Sequence, residues 1–141
     1  MEDWTLKTEI EIALPFHCFD AMGVMWHGNY VVFMEEGREA FLQQHGLSYL
    51  YMLEQGYTEP VTDMSISYRD SFRYGDTMLL EVVYRPSLTA KLLFDYRFLR
   101  KSDMKTVCTA HTVQHFLHDG ELELSRPIFY RQWQERMKNG F

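Results

Sequence analysis

The residues with the types and spacing to do chemistry lie close together in this 141-residue chain, in Asp20-Ala21-Met22-Gly23-Val24-Met25-Trp26-His27-Gly28-Asn29-Tyr30. The segment Phe16–Gly28 has no hydrophobic period and reads as a loop, and a helix is predicted to begin at Asn29. The first amides of a helix have no partner within it, and the macrodipole adds partial positive charge at that end. Such an end can polarise a carbonyl or hold an oxyanion. A carboxylate near it, that of Asp20, could activate water as a general base or attack the carbonyl itself. Together these parts suit hydrolysis of an activated acyl compound. The same residues also have a purely structural explanation. Asp20 could cap a turn, and His27 and Gly28 could simply open the helix. Residue types alone leave both open.

The elements that must position these groups follow from periodicity. Leu6, Thr8, Ile10, Ile12 and Leu14 alternate with Lys7, Glu9 and Glu11, which predicts a strand with one wet face, ended by Pro15. Tyr30, Phe33, Met34, Gly37, Phe41 and His45 recur at steps of three and four, one face of a helix ending near Gly46. Gly37 in mid-helix costs about 1 kcal/mol against alanine, so close packing against a sheet is the expected reason for it. Glu35, Glu36, Arg38 and Glu39 are placed on the opposite face. Residues 47–59 read as a short helix or loop. Strands are then predicted at Val61–Arg69, with Met64, Ile66 and Tyr68 on one side, and at Met78–Tyr84, Leu92–Leu99 and Thr106–Leu117. Turns are expected at Tyr74-Gly75-Asp76, Lys101-Ser102-Asp103 and His118-Asp119-Gly120, and a last helix from Pro127 to Lys138. The order is strand, long helix, then a run of antiparallel strands: an α+β chain with a helix laid on one sheet face.

Composition narrows the function. The length fits one domain, residues 1–141, and 46% hydrophobic content supplies a core, against disorder. A net charge of −6 argues against non-specific nucleic-acid binding. No apolar run approaches the roughly 18 residues of a membrane span, and the acidic start Met1-Glu2-Asp3-Trp4 is unlike a secretory signal. Two cysteines, Cys18 and Cys108, make neither a disulfide framework nor a metal site, so a cytoplasmic protein with reduced thiols is expected.

The residues quoted above resemble the 4-hydroxybenzoyl-CoA-thioesterase-like branch of the hot-dog acyl-CoA thioesterases. That family has D-x-x-G-x-V-x-H-x-x-Y followed by E-x-x-R. Asp20, Gly23, His27 and Tyr30 match it, then Glu35 and Arg38. A second block, Tyr68-Arg69-Asp70-Ser71-Phe72-Arg73-Tyr74-Gly75-Asp76, and the closing Ser125-Arg126-Pro127-Ile128 are also similar to the family, over about residues 5–135. The resemblance implies a hot-dog fold, with a long central helix wrapped by a curved antiparallel sheet, and acyl-CoA thioester hydrolysis. It places Asp20 on the catalytic carboxylate. The backbone at His27 and Gly28 falls where the thioester carbonyl is polarised, and the His27 side chain would assist. Met25, Trp26 and Tyr30 would line the acyl pocket, Tyr30 alternatively the core, and Lys91, with Arg126 as second choice, would hold the phosphates of coenzyme A; each of the two cations reads equally as an ordinary surface charge. Coenzyme A belongs to the substrate, so no cofactor or metal is implied. An edge-to-edge homodimer, or a tetramer of two dimers, is expected, with Pro60 to Met64 of one subunit bordering Asp20 of the other. The chain departs from the family at Cys18-Phe19, where Asp-Thr is common, and at Met25 and Trp26, which make the entrance bulkier.

The remaining candidates have plain readings. Glu35 is read as an i, i+3 partner of Arg38, and Glu36 and Glu39 as solvated charges. Cys18 beside His17 is a poor nucleophile candidate, because adjacent residues on an extended segment point opposite ways. His111 and His115 share a strand face, too few for a metal site, and are expected to pack or pair across the sheet. Two rival functions remain: acyl-carrier-protein thioester hydrolysis or enoyl-thioester hydration on the same fold, and a non-catalytic acyl-binding module in which Asp20 is only a cap.

Overall fold

The computed structural model describes residues 3–140. Five strands form one antiparallel sheet in the order β1-β4-β5-β6-β3. They are β1 (Leu6–Ala13), β3 (Val61–Tyr68), β4 (Thr77–Arg85), β5 (Lys91–Arg100) and β6 (Lys105–His115). The 17-residue helix α1 (Gly28–Gln44) follows β1 and lies on one face of this sheet. The predicted strands and helices are thus present within a residue or two of their expected ends, and the architecture is the expected α+β hot-dog. The predicted Thr106–Leu117 strand is interrupted at Phe116, whose fully buried ring turns into the core. After it, β7 (Leu117–His118) joins β2 (Tyr57–Thr58) and β8 (Glu121–Leu122) in a small second sheet. The mixed segment 47–59 contains α2 (Tyr49–Glu54), capped by Ser48, whose hydroxyl accepts from the Tyr51 amide at 3.1 Å.

Alternation sets the burial in the middle of the sheet. On β4, Met78, Leu80, Val82 and Tyr84 point inward and are buried. On β5 the same holds for Leu92, Phe94, Tyr96 and Phe98. Phe41 of α1 meets Phe94 edge to face at 5.1 Å, and Tyr30 meets Phe98 at 5.2 Å. Gly37 faces β4 where a Cβ would come within 2.7 Å of Leu80 Cδ2 and 2.8 Å of Val82 Cγ2, so the close approach expected of this glycine is real. Gly37→Ala is expected to destabilise the fold by about 1–2 kcal/mol, overpacking outweighing the gain in helix propensity. Urea unfolding of the two proteins measures it.

The two ends of the sheet differ in what they hold. One end carries Ala13, Tyr68, Thr77 and Arg100 with the N-terminus of α1. The other carries Leu6, Val61, Arg85 and Lys91 with the C-terminus of α1. Helix α3 (Ile128–Lys138) closes the second end. Its Trp133 Nε1 donates to the His45 carbonyl at 2.6 Å, and its Tyr130 hydroxyl donates to the Lys91 carbonyl at 2.7 Å.

The two edge strands also differ. On β1, Lys7 pairs with Glu9 at 3.0 Å and Glu81 at 3.5 Å, and Glu11 pairs with Lys101 at 2.9 Å. On β3 both faces are open: Val61, Met64 and Tyr68 are exposed, and only Ile66 is half-buried. The expected one-sided burial of Met64, Ile66 and Tyr68 is therefore not realised within a single chain.

One charge is placed differently from expectation. Arg38 is on the core side of α1, only 6% exposed, and its guanidinium does not reach Glu35. Its Nε donates to the Tyr49 hydroxyl at 2.9 Å and its Nη1 to the Tyr96 hydroxyl at 3.1 Å. Among the described residues Glu35, Glu36 and Glu39 form no ion pair and stay near the surface of α1. Two phenols satisfy the buried cation better than an exposed carboxylate one turn away, because burial makes an unmet donor expensive.

Candidate active site

The segment between β1 and α1 is a short hairpin. A 3-10 turn at Phe16–Cys18 is followed by two arms that pair. Phe19 bridges Met25, the Asp20 amide donates to the Val24 carbonyl at 3.0 Å, and the Trp26 amide donates to the Cys18 carbonyl at 2.9 Å. Gly23 allows the reversal with a φ of 79°. Asp20 sits at the tip and is exposed. One carboxylate oxygen accepts from the Met22 amide at 2.8 Å and the Val24 amide at 3.4 Å. The capping role is thus present. The other oxygen makes no hydrogen bond among the described residues.

The returning arm leads into the helix tip. His27 is the N-cap of α1, its side chain makes no capping bond, and Gly28 is the first helical residue. The Asn29 amide is satisfied by the Trp26 carbonyl and the Tyr30 amide by the His27 carbonyl. The amides of His27 and Gly28 make no hydrogen bond among the described residues, so the two donors proposed for a carbonyl oxygen are free. A Cβ on Gly28 would overlap the six-membered ring of Trp26, which therefore lies directly against this glycine. The indole also meets the His27 ring at 5.2 Å and is 53% exposed, so it stands at the entrance. Met25 and Tyr30 are core residues. Tyr30 packs among Tyr68, Phe72 and Phe98, and burial pushes its phenol well above the ordinary range.

The second sequence block supports the first. The Met25 amide donates to the Phe72 carbonyl at 2.9 Å, and Val24 bridges Arg73. Phe72 is fully buried. From the end of β3, the Tyr68 hydroxyl donates to the His27 carbonyl at 3.3 Å, tying the sheet edge to the N-cap. No local pattern marks Tyr68 for this role; along the chain it is only the aromatic end of the predicted strand and the first residue of the second block. Cys18 is buried beneath the hairpin, where burial and then Glu36 raise its thiol above the ordinary value, the opposite of an activated nucleophile. Burial pushes Cys108 up to about 12. His111 pairs with Asp95 at 2.7 Å and His115 with Thr62 at 2.6 Å, so both pair across the sheet as expected. No group of three metal-ligating side chains occurs among the described residues.

The structure does not bring Lys91 and Arg126 to Asp20. Lys91 opens β5 at the end opposite Asp20, and Arg126 lies at that same end, donating to Gln134 Oε1 at 2.8 Å. The ten residues of β5 separate the two ends by roughly 30 Å. Asp20 and His27 line none of the five main grooves. The largest, about 520 Å³, lies on the outer sheet face among Ser65, Ser67, Arg69, Arg85, Arg97 and Thr109. No helix among the described residues is long and apolar enough to cross a membrane.

Comparison with known proteins identifies the family. Residues 14–126 match the family described as the Thioesterase-like superfamily, and the chain belongs to that family. It is 39% identical over 126 residues, 89% of this chain and 87% of the relative, to a Bacillus subtilis (strain 168) protein named "Putative acyl-CoA thioesterase YneP". Among solved structures it is similar to a DHNA-CoA thioesterase from Staphylococcus aureus, with a TM-score of 0.78 and 25% identity, covering 96% of this chain and 89% of that one. A 1,4-dihydroxy-2-naphthoyl-CoA thioesterase from Synechocystis shares the fold, with a TM-score of 0.81 at 17% identity, covering 95% of this chain and 97% of that one.

Proposed function

We propose that this protein hydrolyses acyl-CoA thioesters to the free acid and coenzyme A. The observation that carries the reading is the helix tip: two unpaired amides, at His27 and Gly28, reached by a hairpin that bears Asp20, in a member of a thioesterase family. The thioester carbonyl accepts from the two amides, which are oriented before the reaction and favour the oxyanion over the ground state. The free oxygen of Asp20 takes a proton from water as that water attacks the carbonyl carbon, and the C–S bond breaks. The departing thiolate takes a proton, giving acid and thiol. In the alternative route the carboxylate attacks first, and water then hydrolyses the mixed anhydride. His27 assists from the entrance, and Trp26, Met25 and Tyr30 shape the acyl side. A thioester is already activated, so this chemistry calls for neither metal nor redox cofactor.

The separation of Lys91 and Arg126 from Asp20 supports a homodimer. Two open β3 strands joined antiparallel about a two-fold axis bring the Val61 end of one chain to the Tyr68 end of the other. Pro60 to Met64 of one copy then border Asp20 of the second, and Lys91 and Arg126 hold the phosphates of coenzyme A in trans. A tetramer would pair two such dimers. The two buried thiols, neither in a disulfide, fit a reducing, cytoplasmic setting.

The test is release of free thiol from a panel of aromatic, short-chain and medium-chain acyl-CoAs. Turnover of at least one class is expected. No thiol from any of them, with binding retained, would leave the non-catalytic acyl-binding module, which the capping bonds of Asp20 favour. Hydration of an enoyl-CoA without thiol release would leave the hydratase.

A further inference from the structure

Arg100 ends β5 with most of its side chain covered, and it gathers more partners than any other cation described above. Its Nη2 donates to Asp70 Oδ2 at 2.8 Å and to the Ser71 carbonyl at 3.1 Å. Its Nη1 donates to Asp103 Oδ2 at 2.9 Å, and its Nε lies 3.6 Å from Asp76 Oδ2. Lys105 adds a contact of 2.9 Å to Asp70. The Arg100 and Lys105 cations hold the Asp70 carboxyl well below the ordinary carboxylate range, so Asp70 is charged at any working pH. Three carboxylates on two turns thus converge on one guanidinium, whose planar fork can serve several acceptors at once.

The first of these turns holds the Asp20 hairpin. Residues 70–76 join β3 to β4, and Ser71, whose carbonyl Arg100 holds, is followed by Phe72, whose carbonyl receives the Met25 amide. Met25 lies on the arm that pairs back to Phe19 and runs on to His27. Asp76 Oδ2 accepts from the Arg73 amide at 2.8 Å, fixing the far side of the same turn. A continuous path of short bonds therefore runs from the Arg100 guanidinium to the backbone that bears both Asp20 and the free amides.

We propose that Arg100 is a positioning residue for thioester hydrolysis: through the Ser71 and Phe72 carbonyls it sets the register of the Asp20 hairpin against the helix tip. This rests on the functional reading above. It differs from a role in stability alone, because it assigns catalytic weight to the bond with the Ser71 carbonyl and not only to neutralisation of three acids.

The experiment separates the two. Arg100→Lys keeps the charge but loses the fork. Arg100→Met combined with Asp70→Asn and Asp103→Asn removes the cation and two of the three acids together, leaving Asp76 to its bond from the Arg73 amide, and has no donor for the Ser71 carbonyl. Arg97→Lys, which alters a single ion pair to Glu81 on the outer face, is the control. With the acyl-CoA turned over fastest, Arg100→Lys is expected to lower kcat about tenfold with KM within about twofold of wild type. The triple variant should melt near wild type yet stay equally slow. Its Met25 amide should exchange with deuterium about tenfold faster, as in Arg100→Lys and unlike Arg97→Lys. Recovery of wild-type kcat in the triple variant would overturn the proposal, as would unchanged kcat in Arg100→Lys. Should the triple variant not fold, unchanged Met25 exchange in Arg100→Lys overturns it alone. If the wild-type protein releases no thiol, the functional reading fails, and the exchange measurement still decides whether Arg100 holds the hairpin.

Discussion

Replacing Asp20 by asparagine is expected to lower kcat for thioester hydrolysis by about 100- to 10,000-fold, the usual weight of a positioned base, with KM little changed. The substitution isolates chemistry from folding. The oxygen that accepts from the Met22 and Val24 amides has a counterpart in the asparagine carbonyl, so the hairpin cap is retained. What is lost is the negative charge on the second oxygen, which has no structural partner. Thiol release under saturating acyl-CoA, beside a melting curve, measures both. A variant that turns over at the wild-type rate with its fold intact would reduce Asp20 to a cap. The same variant tests the two-chain site. Mixed and re-assembled with a Lys91→Ala chain, it should regain activity, because one site of each mixed dimer then has both Asp20 and Lys91.

The second large effect concerns stability. Glu59, between β2 and β3, is only 8% exposed, and its Oε2 has no hydrogen-bond partner. Burial pushes its carboxyl up to about 8. Below the ordinary carboxylate range both folded and unfolded chains hold the proton, and burial carries no ionisation penalty. As pH rises the unfolded chain releases its proton first, and stability falls until the folded carboxyl also ionises near pH 8. By pH 7 the loss amounts to at most about 3 kcal/mol. Glu59→Gln removes that slope. It is expected to raise the urea midpoint at pH 7–8 and to match wild type near pH 4. Parallel slopes for the two proteins between those limits would show that Glu59 meets solvent or a cation after all.

What the sequence makes legible is what short-range periodicity encodes. Leu6 to Leu14 alternates because one side of β1 packs on α1. Tyr30, Phe33, Gly37 and Phe41 recur because one helix face meets β4 and β5. The hairpin residues Asp20, Gly23, His27 and Gly28 stand next to one another in the chain, so their meeting needs no tertiary information. Arg38 escapes such reading, since its partners Tyr49 and Tyr96 lie on α2 and β5. A wheel of charges places it with Glu35, when two distant phenols draw it inward. Tyr68, Arg100 and Glu59 escape for the same reason: each acquires its role from groups that are distant in sequence. Lys91 and Arg126 illustrate a further boundary. Their resemblance to phosphate-binding positions is visible along the chain, but their distance from Asp20 emerges only when the strands are laid side by side.

The unlike borders of the main sheet decide how far assembly can go. Lys7, Glu9 and Glu11 form a charged fringe along β1 that deters a visiting strand, whereas β3 presents Val61, Met64 and Tyr68 with a single charge, Asp63, beside a bulge near its start. Growth by strand addition is therefore one-sided. In the dimer proposed above, joined through β3, only the fringed β1 borders would remain, so strand addition would stop at two copies.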